Sequence, residues 1–528
     1  MNLRQTAFCV FICCFFAPTL SAQKPSLNVL DFGAKGDGKT LNTRFLQAAI
    51  DSCDKRGGGA IVIPAGKFLT GTLFLKSNLR VHLEAGCELV GSANLADYDS
   101  AHKHLLYGAG IANFSLTGQG VIEGNGKAFW DEKYNPLDRP APWILLEDAT
   151  DISIRDVKLQ NSPAHVVALI GCNRVVVDGI TILNDMRSPN TDGIDITSTS
   201  NVMISNCFIS TGDDAICLKV SDGTRNAALS DDVGGDKGKD KPTENVVVTN
   251  CIIESDDAAL KLGTGSGTRI SHCRFSNCII RNTRFAVALF MKDGGVFEHI
   301  DFSNLTIETR SRYATEYPIY IDVEKREESG RYGKIRHIKF SNLNITTRGN
   351  CLIAGQPDAP LEHLTLEGIS MHVAQGVDVS TFKKPRGNRK LGDIKGSVDF
   401  ASIPAHITIG CAQKVAVQGV SIFAENTVVD RHGLCLNKVR DIQIEHFTGR
   451  QAKDDGSLPV ILLIDSGDCL IRNSTALPNT ATFLKADGAF SGRLSLLMNN
   501  FLDAKNAWLL PKNFLKNQFL QQANLINK

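Results

Sequence analysis

The chain of 528 residues lacks an excess of charge of either sign, since its formal net charge is only +1. Proteins that bind nucleic acid by neutralising many phosphates need a clear basic excess, so this class of partner is disfavoured, although a local basic cleft could still hold an acidic polymer. The sequence also lacks a Cys-x-x-Cys pair with a matching second pair, which argues against a structural zinc site. We therefore expect no nucleic-acid partner and no structural zinc site.

Long apolar runs are absent beyond the amino terminus, and no later segment resembles a membrane span. The first residues, MNLRQTAFCVFICCFFAPTLSAQ, combine a positive charge at Arg4, an apolar run and small residues that end at Ala22. The run is shorter than the roughly 20 residues of a spanning helix, so it predicts a secretory signal peptide over residues 1–22. We expect an exported, periplasmic or extracellular protein that is a monomer.

Helical periodicity is also scarce, whereas a repeat of short strands covers most of the chain. Asn-Cys recurs between β-branched runs in VMISNCFIS, VVVTNCIIE and CRFSNCIIR, and HIDFSNLTI and HIKFSNLNI repeat the scheme with Leu. Such units, without crossover helices, predict an all-β fold of the right-handed parallel β-helix type. We expect residues 23–528 to form one β-helix domain, with a loop inserted at about 221–242 that either flanks a cleft or has no role.

The recurring cysteines predict a ladder inside this β-helix. Cys207, Cys251 and Cys278 occupy equivalent repeat positions, and Leu305 and Leu343 continue the series. Cysteine packs as a small hydrophobe, so the prediction is a structural core; a functional cysteine site is the alternative.

Residues 41–56 are the clearest helical pattern, with Phe45, Ala48, Ala49 and Cys53 near one face. A solenoid needs its open end covered, so this segment is interpreted as an amino-terminal capping helix.

Two polar stretches, SPNTDGIDIT and STGDDAICLK, interrupt the Val/Ile-rich repeats and place Asp192 and Asp213 21 residues apart, about one coil. Neighbouring coils bring them close, and the turns could open their carboxyl groups to the ~6.5–9.5 Å typical of inverting glycoside hydrolysis. Mutual repulsion should raise the pKa of at least one carboxyl, as a general acid requires. A structural or calcium-binding cluster is the alternative.

The two motifs are NTDGID, with Asn190, Asp192 and Asp195, and GDD, with Asp213 and Asp214. Their residues and order resemble those of family 28 of the glycoside hydrolases, the polygalacturonases. The resemblance extends from about residue 26 to at least residue 310. It implies a right-handed parallel β-helix and inverting cleavage of pectic polysaccharide without a metal or another cofactor. It also implies that Asp213 is the general acid, that Asp192 and Asp214 activate water, and that Asn190 lies in the substrate site.

Two later motifs depart from the family pattern around the reacting sugar. Where the family usually has Gly-His-Gly, this chain has IIESDDAALKLGTGS, which places Ala258 at the histidine. Where the family has Arg-Ile-Lys, this chain has LFMKDGG, in which Lys292 matches the lysine and Phe290 replaces the arginine. The departures favour a rhamnogalacturonan-like or otherwise modified substrate over plain polygalacturonate.

Other polar residues are candidates for substrate binding, each with a structural alternative. Lys219, Lys261 and Lys292 follow the apolar strands of three successive coils and could form a basic ladder for uronate carboxylates, or remain solvated at coil edges. Asp257, next to Asp256, either extends the acidic cluster or forms a turn. His165 either contacts sugar or is a turn residue.

The sequence predicts a glycoside hydrolase, polygalacturonase-like, whose partner is an acidic polysaccharide or oligosaccharide. Two other functions remain open. A pectate-type lyase would use Asp213, Asp214, Asp256 and Asp257 to hold calcium, which prefers carboxylate oxygens. A non-catalytic glycan-binding β-helix would explain the missing histidine and arginine.

Overall fold

A computed structural model of the chain describes residues 25–220, 240–311, 316–374, 405–425, 430–449, 457–512 and 514–527. The predicted signal peptide and most of the expected loop at 221–242 lie outside these ranges. Within them, the strands of successive coils pair in parallel along the length of the chain. This architecture confirms the predicted parallel β-helix.

Each coil contributes a strand to each of three parallel ribbons, as three central coils show. The first ribbon contains Thr150–Arg155, Asn173–Asp178 and Ser200–Ser205. The second contains Lys158–Gln160, Thr181–Leu183 and Phe208–Thr211. The third contains Val167–Ile170, Ile194–Thr197 and Ile216–Val220. In several later coils one long strand spans two ribbons, as Ile252–Ser266 does by pairing with both Phe208–Thr211 and Ile216–Val220.

The remaining strands extend the ribbons in both directions. On the amino-terminal side they are Leu27–Asn28, Asp37–Leu41, Gly59–Ile63, Gly66–Thr70, Leu73–Phe74, Leu79–Leu83, Cys87–Gly91, Leu106–Ala109, Ala112–Gly118, Val121–Glu123 and Ile144–Glu147. On the carboxyl-terminal side they are Thr243–Thr249, Arg269–Ser276, Ile279–Met291, Val296–Thr309, Tyr317–Val323, Lys334–Thr347, Cys351–Ala354, Leu361–Val373, Ala405–Gln418, Ser421–Ala424, His432–Glu445, Thr448–Gly449, Ile461–Ile464, Gly467–Arg472, Thr475–Ala476, Thr480–Asp487, Ser491–Leu497, Asn500–Phe501, Ala504–Leu509, Phe519–Gln522 and Leu525–Ile526.

The core is built of ladders of equivalent side chains, because parallel register places the same repeat position one coil above the last. Cys207, Cys251 and Cys278 are buried, as are Leu305 and Leu343, which face each other in register on adjacent coils. The structure therefore confirms that these cysteines belong to the core.

The predicted capping helix is Thr43–Lys55. Its buried face consists of Leu46, Ala49, Ile50 and Cys53, so the expected face was partly wrong: Phe45 is only half-buried and Ala48 is exposed. The spacing of three, four and seven residues selects this face once the helix begins at Thr43.

The other helices are short 3-10 turns at Val29–Phe32, Leu95–Asp97, Gly126–Phe129 and Lys516–Gln518. None of the helices in the described ranges is long and apolar enough to cross a membrane.

Candidate active site

The three candidate aspartates lie in turns that lead into the third ribbon. Asp192 precedes Ile194–Thr197, while Asp213 and Asp214 lie just before Ile216–Val220, and Ile194 pairs with Ile216. The spacing of one coil therefore places them side by side, as expected. One carboxylate oxygen of each aspartate lies within 4.8 Å of those of the other two.

Glycines in both motifs allow these turns to approach each other. A Cβ atom on Gly193 would lie 2.4 Å from the carbonyl oxygen of Ala215, and one on Gly212 would lie 2.3 Å from that of Ser188. Any other residue would push the turns apart, because these distances are far inside van der Waals contact. The backbone N–H of Gly212 also donates to Oγ1 of Thr191 at 3.1 Å, which ties the two motifs together.

Two buried lysines contact the outer carboxylates of this cluster. Nζ of Lys219 lies 3.5 Å from Oδ2 of Asp192 and 3.2 Å from Oδ1 of Asp195. Lys261 forms an ion pair with Asp214. The expected lysines therefore line the site, but these two neutralise its aspartates.

Asp213 differs from its neighbours because, among the described residues, no basic side chain lies within salt-bridge distance of its carboxylate. Part of its side chain reaches solvent. Nevertheless, the loss of water to the surrounding protein, reinforced by the negative charges of Asp192 and Asp214, raises its pKa well above the ordinary value. Burial also raises the pKa of Asp214, against the opposing effect of Lys261. Of the two adjacent carboxyls, Asp213 is the one placed to keep a proton.

Lys219 is held in its charged form despite its environment. Burial alone would lower its pKa, but the carboxylates of Asp195 and Asp192 raise it well above the ordinary value. The charged Lys219 therefore provides a buried positive charge between Asp192 and Asp195.

His165 lies behind the cluster. Its Nε2 is 3.4 Å from Oδ1 of Asp192, and its Nδ1 is 3.6 Å from Oδ2 of Asp195. Only 6% of the residue is exposed, and its two carboxylate contacts favour a positioning role, while the sugar contact stays a prediction.

Asn190 occupies the cleft edge in an unusual backbone conformation, with φ of 52°. Its Oδ1 accepts a hydrogen bond of 2.8 Å from Arg139, whose other nitrogen donates to the carbonyl oxygens of Pro163 and Pro189. Sequence reasoning missed Arg139, since a single arginine in a proline-rich stretch belongs to no motif.

The polar residues of the following coils are also paired. Nζ of Lys292 lies 2.5 Å from Oε2 of Glu324, and Arg284 lies 3.2 Å from Oδ1 of Asp257. Asp257 thus adjoins the site but is not one of the three clustered aspartates. Glu324 and Arg284 were not among the predicted site residues.

Ala258 and Phe290, which stand at the positions of the family histidine and arginine, belong to one apolar cluster on the outside of the β-helix. The cluster, called the aromatic wall below, consists of Ala258, Phe285, Ala288, Phe290, Tyr317, Leu352 and Ala354, with Tyr320 packed against it.

Among the residues that the structure describes, two sets of side chains have the spacing needed to hold a metal ion. One is His165, Asp192 and Asp195, and the other is Asp192, Asp213 and Asp214. The second set offers the oxygen donors that calcium prefers. However, Lys219 and Lys261 contact these same carboxylates and would repel a divalent cation. The calcium set expected for a lyase included Asp256 and Asp257, and neither belongs to these groups.

Comparison with known proteins agrees with the sequence motifs. The profile described as "Glycosyl hydrolases family 28" matches residues 53–385. Over 222 residues, the chain is 33% identical to a probable polygalacturonase of Vitis vinifera. The alignment covers 38% of this chain and 45% of that protein. The chain thus spans about half the length of the curated relatives that it matches.

Solved structures share the fold. The family 28 exopolygalacturonase of Yersinia enterocolitica aligns with a TM-score of 0.57 at 18% identity, covering 79% of this chain and 78% of that chain. The exopolygalacturonase of Thermotoga maritima aligns with a TM-score of 0.56 at 21% identity, covering 66% of this chain and 88% of that chain.

Proposed function

Since the chain belongs to family 28 of the glycosyl hydrolases, we propose that it is an exported hydrolase of pectic or related uronate-containing polysaccharide that works by acid and base catalysis with inversion. Export rests on the amino-terminal sequence pattern. The observation that supports the chemistry is the convergence of Asp192, Asp213 and Asp214 within 4.8 Å, with a lysine on each outer aspartate.

In this proposal, Asp213 is the general acid. Its protonated carboxyl donates a proton to the glycosidic oxygen as the bond from that oxygen to the anomeric carbon breaks. Asp192 and Asp214, which contact the cations of Lys219 and Lys261, accept a proton from the water that attacks the anomeric carbon. One water is consumed, both products gain a hydroxyl group, and the proton lost by Asp213 is balanced by the one gained by its neighbours.

The spacing of the carboxylates bears on stereochemistry. Inverting enzymes separate their carboxyl groups by ~6.5–9.5 Å, whereas the closest oxygens here lie within 4.8 Å. The closest oxygens of two carboxyl groups necessarily lie nearer than the group centres. Inversion therefore rests on the family motif and is tested by following the anomeric configuration of the first product by NMR.

The decisive test incubates the mature chain with polygalacturonate or rhamnogalacturonan, with and without a calcium chelator, and measures reducing ends and ultraviolet-absorbing unsaturated sugar together. The proposal expects reducing ends without unsaturation, unaffected by the chelator, and their loss in the Asp213→Asn variant. Unsaturated products that disappear with chelator would instead identify a lyase. Binding without any cleavage would identify a glycan-binding β-helix.

A further inference from the structure

On the premise of the proposed function, we propose that the coils following Asp214 form a subsite for a neutral sugar with an apolar face. In this subsite, the aromatic wall packs against the sugar and Glu324 prevents Lys292 from selecting a uronate. The preferred substrate class is then a polymer in which uronates and neutral sugars both flank the cleaved bond.

The aromatic wall is continuous with the reacting carboxylates. Nζ of Lys261, which pairs with Asp214, lies 5.8 Å from the ring centroid of Phe290. Strand register then continues the wall over the next two coils, since Ala258 pairs with Phe285 and Phe285 with Tyr317. A sugar on that side of the cleaved bond would therefore meet apolar side chains where the family has a histidine and an arginine.

The rings form a connected surface. The centroid of Phe285 lies 5.3 Å from that of Tyr317 and 5.2 Å from that of Tyr320, and Phe290 lies 5.2 Å from Tyr320. Phe285, Phe290 and Tyr317 are buried, so the half-buried Tyr320 presents the accessible ring. Covering this ring with the C–H face of a sugar removes apolar area from water on both partners.

Charge on the same coils disfavours a uronate. Lys292, the residue expected to bind a carboxylate, already contacts Glu324 at 2.5 Å. Arg284 contacts Asp257, so each of these two cations has a carboxylate partner. A uronate would therefore have to compete with Glu324 for Lys292.

Asp322, which pairs in register with Phe290, adds no positive charge that could attract a uronate. It is buried, and its Oδ1 has no hydrogen-bond partner among the described residues. Burial and the negative charge of Glu324 raise its pKa well above the ordinary value, so its carboxyl favours the neutral form. A neutral sugar leaves the Lys292–Glu324 pair intact and still gains the contact with Tyr320.

The test measures binding, so that it does not depend on turnover. Calorimetry with the Asp213→Asn chain compares an oligogalacturonate with an oligosaccharide of equal length that alternates galacturonate and rhamnose. We expect the alternating ligand to bind at least about fivefold more tightly. Glu324→Gln in the same chain should strengthen oligogalacturonate binding about fivefold by releasing Lys292. Tyr320→Ala should weaken only the alternating ligand, by a similar factor.

The matched control is Glu308→Gln, an exposed glutamate on another face, which should change neither affinity. Melting temperatures show that each variant is folded. Equal or tighter binding of oligogalacturonate that does not respond to Glu324→Gln would overturn the inference, as would failure to bind either ligand. Failure of the proposed function is a separate result: the unmodified chain would release no reducing ends from either polymer.

Discussion

Nε2 of His165 lies 3.4 Å from Oδ1 of Asp192, one of the two aspartates proposed to activate water. Because only 6% of His165 is exposed, we expect it to orient Asp192 rather than to bind substrate. We expect His165→Asn to lower kcat about tenfold with little change in KM, since a misoriented base weakens the attack of water more than the binding of sugar.

His272→Asn is the matched control for this prediction, since His272 is an exposed imidazole on another face of the β-helix. It should leave both kinetic constants unchanged. A purely structural role for His165 would instead lower the melting temperature of His165→Asn and leave kcat and KM of the folded variant unchanged, and that outcome would contradict the prediction.

The stability of the chain should reflect the raised pKa of Asp213. An unfolded Asp titrates near about 3.9, so above this pH the folded chain binds a proton that the unfolded chain releases. The stabilising contribution of protonated Asp213 is complete below about pH 3.9 and is lost as pH rises through the folded pKa. Asp213→Asn keeps a neutral side chain and should therefore raise the melting temperature at neutral pH but not at about pH 4.

Thermal melts of both chains at the two pH values check this expectation. Asp301→Asn, an aspartate that pairs with Arg274 on another face, is the control and should show no stabilisation at neutral pH. A lower melting temperature of Asp213→Asn at neutral pH would show that this carboxyl is stabilised as an anion in the folded chain.

The pH dependence of turnover follows from the same group. Asp213 must be protonated to donate, so kcat/KM should fall as pH rises through its raised pKa. The basic limb should therefore lie well above the range in which ordinary carboxyls titrate. Its midpoint, taken from kcat/KM across the pH range, is the measurement. A rate that declines through the ordinary carboxyl range would place the titration on a different group.

The repeat made the fold and the central cluster predictable. The Asn-Cys series indicated stacked coils, and a spacing of one coil was enough to bring Asp192 beside Asp213. Parallel stacking places equivalent positions of successive coils next to each other, so both inferences depend on the backbone alone.

Contacts between side chains outside the repeat could not be predicted in the same way. Arg139 reaches Asn190 across 51 residues, and Lys292 reaches Glu324 across 32. In both pairs, a long side chain contacts a residue that comes within reach only once the coils have packed. The role expected for Lys292 accordingly depended on a residue that no motif identified.

The Lys261–Asp214 ion pair allows the contribution of the candidate site to the free energy of unfolding to be measured. Both residues are buried, so Lys261→Met would leave a carboxylate without its cation and should cost about 3–5 kcal/mol of unfolding free energy. Urea unfolding measures this loss. Adding Asp214→Asn should recover most of it, because the remaining group is then neutral and the two substitutions act on one interaction.

Lys67→Met is the matched control for this measurement, since Lys67 pairs with Glu88 but is largely exposed. Water and salt screen such a pair, and its loss should leave the urea midpoint unchanged. If Lys261→Met also left the urea midpoint unchanged, Asp214 would have to be neutral in the folded chain, because only an ionised carboxylate needs the buried cation. That result would remove Asp214 from the pair proposed to activate water and leave Asp192 as the single base.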